Sequence, residues 1–305
     1  MTAPHSHQAS LSPGSARGRL SAALAIATTL LVVEVVGAVV SGSLALLADA
    51  GHLLTDVAGL SLAVLAAVLV ERPATARRTW GYRRAEVLAA AAQAAALLAV
   101  GIYIFVEALR RLVSPPEVAS GAMIVFGIIG LVGNAVAIGV LASRRGSNLN
   151  TRAAFLEVVN DAVGALAVLL AAVTIALTGW LRADAVASLL IGCLILPRTW
   201  RLLRETVDVL LESTPRDVDL DAVRDHIAEV LHVRDVHDMH ASTVASGLPV
   251  LTAHVVVDDD CFSDGHVPQL LDQLQDCLAG HFDVEHSTFQ FEPAGHADHE
   301  HDRHR

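Results

Sequence analysis

Six stretches of about twenty or more mostly apolar residues dominate the N-terminal two thirds of this chain: roughly Leu20–Val40, Leu44–Val70, Val87–Leu109, Ala119–Ala142, Ala153–Leu177 and Ala183–Leu203. A helix needs about 20 such residues to cross the hydrocarbon of a bilayer. No water is available there for backbone N–H and C=O groups, so an apolar run of this length can only be a helix that satisfies them internally. The composition agrees: at 53% hydrophobic, 17% charged and a mean hydropathy of +0.53, the 305 residues are too apolar for a soluble domain. In the sixth stretch the clean apolar run ends at Leu196, and Pro197 followed by Arg198 is expected to kink it or end its membrane-embedded part.

The basic residues set the orientation. With a cytoplasmic N-terminus, thirteen arginines near the spans fall inside and three, Arg110, Arg111 and Arg182, fall outside. That asymmetry is the positive-inside pattern, so both termini are expected in the cytoplasm; the chain is expected in the inner (plasma) membrane. Residues 1–18 are polar, without an apolar core before a cleavage site, so no cleaved signal peptide is expected and the segment reads as disordered. The transmembrane domain is assigned to residues 19–206. Cys193, Cys261 and Cys277 fit neither a disulfide framework nor a thiolate zinc site. No basic face is interleaved with aromatics, so nucleic acid is not an expected partner.

From about Thr206 charge rises and the apolar runs shorten. Asp217–Leu231 has Val223, Ile227, Val230 and Leu231 at helical spacing behind an acidic first turn, which predicts an amphipathic helix. Residues 233–244 and 249–258 read as strands joined by a Ser-Gly turn at 246–247, followed by a helix over Val267–Phe282 and a strand over 287–292. The order α-β-β-α-β predicts a small cytoplasmic α+β domain over residues 207–292. The His-rich tail, 293–305, reads as disordered.

Charges inside the spans carry the chemistry. The second span holds His52 and Asp56, the fifth Glu157 and Asp161. Each pair is four residues apart and so lies on one helix face, one turn apart. A buried carboxylate is costly in hydrocarbon unless something positive compensates it. Two such pairs facing each other supply four ligands suited to a divalent cation in tetrahedral coordination; the bland alternative is polar helix–helix contacts. Three carboxylates and a neutral imidazole total −3 when empty, so protons are expected to occupy the empty set and to be expelled when a metal binds. That competition suffices for antiport. Asp49, three residues before His52, is expected to orient the imidazole or to mark the outer end of its helix.

The motifs SGSLALLADAGHLLTD (41–56), WGYRRAEVLAA (80–90), SNLNTRAAFLEVVNDAVG (147–164), LLEST (210–214) and VHDMHASTVASGLPVLTAHVVV (236–257) resemble the cation diffusion facilitator family, in particular its bacterial zinc/cadmium/cobalt efflux branch. The resemblance covers about Leu20 to Glu292. It implies six transmembrane helices, a metallochaperone-like, ferredoxin-like cytoplasmic domain, a homodimer, and export of divalent metal from the cytoplasm in exchange for protons. It also implies that His52, Asp56, Glu157 and Asp161 form the transport site. Where the family usually has His, this chain has Glu157, which makes the site harder and more anionic and opens Mn²⁺ as an alternative to Zn²⁺, Cd²⁺ and Co²⁺. His52 keeps Zn²⁺ first.

By the same resemblance His237, His254 and Glu292 match a cytoplasmic metal site near the dimer interface, with His240, His266 and His286 as further candidates. The tail histidines His296, His299, His301 and His304, with His5 and His7, are expected to capture metal weakly or to be solvated. No organic cofactor is implied. Two rival readings follow from the same residues. One is a metalloenzyme, which the missing HExxH and nucleophile motifs argue against, so no enzymatic activity is expected. The other is a membrane-bound metal sensor that does not transport.

Overall fold

In the computed structural model, residues 13–142, 149–282, 284 and 286–296 are described. The expectations for His5, His7, His299, His301 and His304 lie outside the described residues. Six helices come first: α1 (Pro13–Ser41), α2 (Leu44–Val70), α3 (Ala85–Val113), α4 (Ser120–Ala142), α5 (Leu149–Thr178) and α6 (Arg182–Leu210). They coincide with the six apolar stretches, and α1 and α6 overrun theirs. Pro197 does not end α6. A proline within a helix forfeits one backbone hydrogen bond, and the turns that follow, Arg198–Leu210, continue as helix. Five helices are long and apolar enough to cross a membrane among the described residues; α1 contributes the shorter apolar part Ala27–Ser41.

Two compact units divide the chain. The first comprises Met1–Leu62 and Ala92–Arg201. Its buried centre is built mainly from small residues, with Ala38, Ala48, Ala108, Ala172 and Ala187 surrounding Leu44, Ile104, Met123, Val168 and Ile191. Small side chains let helix backbones approach closely, which is how helices associate where the solvent is itself apolar. The outward faces are apolar too: Val36, Ile102, Val125, Leu170 and Leu194 are exposed. A surface of this kind is at rest only in lipid. At the α1–α2 corner Gly42 takes φ +71°, a left-handed conformation that glycine adopts at no steric cost.

The second unit comprises Ala63–Ala91 and Leu202–Arg305. Here follow α7 (Leu220–Ala228), β1 (Val233–Ala245), β2 (Leu248–Val257), α8 (Cys261–Asp264), α9 (His266–His281) and β3 (His286–Pro293). Asp219 caps α7, its carboxylate accepting the N–H groups of Asp221 and Ala222. The sheet has the order β1-β2-β3, with β1 and β2 antiparallel and β2 and β3 parallel. Alternation along β2 sends Leu251, Ala253, Val255 and Val257 into one core with Val223 and Ile227 of α7 and Leu270, Leu274 and Leu278 of α9. The period of two then turns His254 to the opposite face. The α-β-β-α-β order is as expected; the one-turn helix α8 is additional.

Candidate metal centres

The α2 site is built on one atom. His52 Nε2 lies 3.5 Å from Asp161 Oδ1, 3.6 Å from Glu157 Oε1 and 3.7 Å from Asp56 Oδ2. A tetrahedron with bonds of about 2.0–2.2 Å to a central ion has edges of about 3.3–3.6 Å, and the separations from His52 lie at or just above the upper end of that range. The four-residue spacings bring this about: His52 and Asp56 present one face of α2, Glu157 and Asp161 one face of α5. Ligand atoms of His52, Asp56 and Asp161 all lie within 4.8 Å of one another. Glu157 falls outside that mutual set. Its carboxylate is instead gripped at both oxygens by Arg198 of α6, whose Nη1 donates to Oε1 at 2.7 Å while Nη2 donates to Oε2.

Asp49 is buried, its Oδ1 facing Gly164 of α5 so closely that a Cβ there would stand 3.2 Å away. It does not hold the imidazole, because His52 Nδ1 is buried without a hydrogen-bond partner among the described residues. Glu34 of α1 and Asn134 of α4 are also buried.

Near the start of α2, Asp184 of α6 acts as a cap that no local sequence pattern signals. Its Oδ2 accepts Leu44 N–H at 2.8 Å, while Oδ1 accepts Ala45 N–H at 3.2 Å and the Ser43 hydroxyl at 2.5 Å. Ser43 Oγ in turn accepts Leu46 N–H at 3.1 Å. The open N–H groups and positive dipole end of α2 are thereby satisfied by an anion. Arg111 of α3 joins them, with Nη1 3.6 Å from Asp184 Oδ2 and donating to Gly42 O at 2.8 Å.

In the cytoplasmic unit, β1–β2 pairing sets His237 opposite His254, and β2–β3 pairing sets Val256 beside Glu292. His254 Nδ1 lies 2.7 Å from Glu292 Oε1 and His237 Nε2 3.6 Å from Glu292 Oε2. Glu292 is 1% exposed and its Oε2 has no hydrogen-bond partner among the described residues. A carboxylate so placed beside two imidazoles suits a cation, and one ligand atom from each of the three lies within 4.8 Å of the others. Among the described residues the further candidates are not in this trio, although Asp238 lies 3.8 Å from His254 Nε2 on one side and faces His240 on the other. His240 pairs with Asp238 at 3.0 Å, His266 Nδ1 lies 2.7 Å from Asp264, and His286 meets the edge of Trp80 at a ring separation of 5.1 Å. His296 follows β3 and is exposed.

Apolar spanning helices that bring an imidazole and carboxylates together, joined to an α+β unit with a second such cluster, define a multi-pass membrane protein that handles metal cations. The profile of the cation efflux transmembrane domain matches residues 20–211, and that of the cation efflux protein cytoplasmic domain matches residues 215–294. The chain belongs to the cation efflux family. Among curated relatives, the metal cation efflux system protein CzcD of Cupriavidus metallidurans is 43% identical over 294 residues, covering 96% of this chain and 91% of that protein. The zinc transporter ZitB of Escherichia coli is 41% identical, covering 96% and 93%. The cadmium, cobalt and zinc/H(+)-K(+) antiporter of Bacillus subtilis is 35% identical, covering 88% and 86%.

Proposed function

We propose that this chain exports divalent cations from the cytoplasm in exchange for protons, with Zn²⁺ the principal cargo and Cd²⁺ and Co²⁺ also carried. In this reading His52, Asp56 and Asp161 ligate the cargo, with Glu157 beside them. The observation that carries it is His52 Nε2 at ligand-edge distance from carboxylates on two different spanning helices. A metal needs its ligands deprotonated, so cargo and protons exclude each other from the same atoms, and a site opened to one side and then the other exchanges them. Similarity to CzcD, ZitB and the Bacillus subtilis antiporter supports both the metals and the counter-ion. The protein works as a homodimer in the inner (plasma) membrane with both termini cytoplasmic. His237, His254 and Glu292 hold a second metal that tunes the cytoplasmic domain.

The test is metal flux in proteoliposomes under an imposed pH gradient, with Zn²⁺, Cd²⁺, Co²⁺ and Mn²⁺ presented in turn. Zinc flux that follows the gradient and is abolished by Asp161→Ala is expected. Metal binding without any flux would replace the exporter with a sensor.

A further inference from the structure

The geometry points to Arg198 as the residue that sets how firmly the transport site holds its cation, by withholding Glu157 from it. The inference rests on His52, Asp56 and Asp161 being the ligands. Glu157 Oε1 is as near to His52 Nε2, at 3.6 Å, as the two aspartates are. Yet its carboxylate is turned to Arg198, which engages both oxygens. A fork of this kind is among the strongest side-chain pairings and fixes the orientation of the carboxylate it holds. The other three ligands already form a mutual set without it.

Charge shows why this division holds. A neutral imidazole with Asp56 and Asp161 sums to −2 and balances a divalent ion, while Glu157 and Arg198 balance each other. Each group is neutral, so neither leaves a net charge beside the other. Were Glu157 to join the ion, the liganded set would carry −1 and the guanidinium would stand unpaired beside it. A cation with three protein ligands keeps an open fourth position, and a guanidinium nearby repels it. Both effects loosen the site. A conducting site must bind well enough to fill and weakly enough to empty, and Arg198 moves it toward emptying.

A double-mutant cycle on the full-length chain tests this, with Zn²⁺ affinity measured in detergent by competition against a chelating dye and flux kinetics measured in proteoliposomes. Arg198→Met frees Glu157 as a fourth ligand, so Zn²⁺ is expected to bind about tenfold tighter, the size of one charge-assisted contact, with KM and kcat for transport falling together. Glu157→Gln leaves the guanidinium unbalanced and weakens binding. The double variant, with neither charge, returns to near wild-type affinity. Arg198→Lys, whose single ammonium cannot fork both oxygens, gives a smaller tightening that Glu157→Gln abolishes, and it carries the test should the methionine variant fail to fold.

Unchanged or weaker binding in Arg198→Met, or in Arg198→Lys where that variant stands in, overturns the inference. So does a double variant as weak as Glu157→Gln, which would make Glu157 an ordinary ligand. Failure of the underlying site is seen separately, as Zn²⁺ flux that persists in Asp161→Ala.

Discussion

His52 is the residue on which the proposed transport site turns, since its Nε2 faces three carboxylates at 3.5–3.7 Å. It is the nitrogen donor in a set of oxygens, and nitrogen favours zinc over harder cations. His52→Ala is expected to weaken Zn²⁺ binding by at least about 100-fold while weakening Mn²⁺ binding much less, the loss of a ligand exceeding the cost of disturbing one. Competition between the two ions on the purified variant measures it; an equal loss for both would show that the imidazole does not set the preference. The pairs His52/Asp56 and Glu157/Asp161 were legible in the sequence because a spacing of four on a helix has only one spatial meaning. Arg198 was not. Beside Pro197 it reads as one more arginine at the inner boundary, and a salt bridge to a residue 41 positions away leaves no local trace.

The elements were legible where solvent dictates them. Lipid demands long apolar helices, and among the described residues five are long and apolar enough to cross, with the shorter apolar stretch of α1 where the sixth was expected; a strand buried on one face demands alternation, which fixed β2 and β3. What stayed hidden depends on partners distant in sequence. Asp184 reads as an acid in the first turn of α6, and only the fold shows it seated on the N-terminus of α2, 139 to 141 residues away. That cap matters to function because His52 lies eight residues beyond Leu44 on the same helix, about 12 Å along its axis. Asp184→Asn keeps the shape but removes the charge that two N–H groups, a hydroxyl and Arg111 share. A loss of about 2–3 kcal/mol is expected, read as a lowered Tm in detergent, together with weaker Zn²⁺ binding as α2 loses its anchorage. Asp184→Asn with an unaltered Tm would show that the cap is dispensable.

At the scale of the molecule, two candidate metal clusters sit in one acidic chain of net charge −11. Acidic domains brought side by side in a dimer repel, and a bound divalent ion lowers that repulsion while ordering the strands that hold it. The trio His237, His254 and Glu292 ties all three strands together, since each residue comes from a different one. A ligand that binds only the folded state adds stability with its concentration, about 2.7 kcal/mol at a hundredfold excess over Kd. Zn²⁺ is therefore expected to raise the Tm of the full-length protein in two separable parts. Glu292→Gln should remove the part belonging to the cytoplasmic domain while leaving the Asp161-dependent flux in place, and Asp161→Ala should remove the other. If Glu292→Gln leaves the whole Zn²⁺-induced shift intact, the buried carboxylate binds no metal, and the paired imidazoles on β1 and β2 are there to stabilise the sheet.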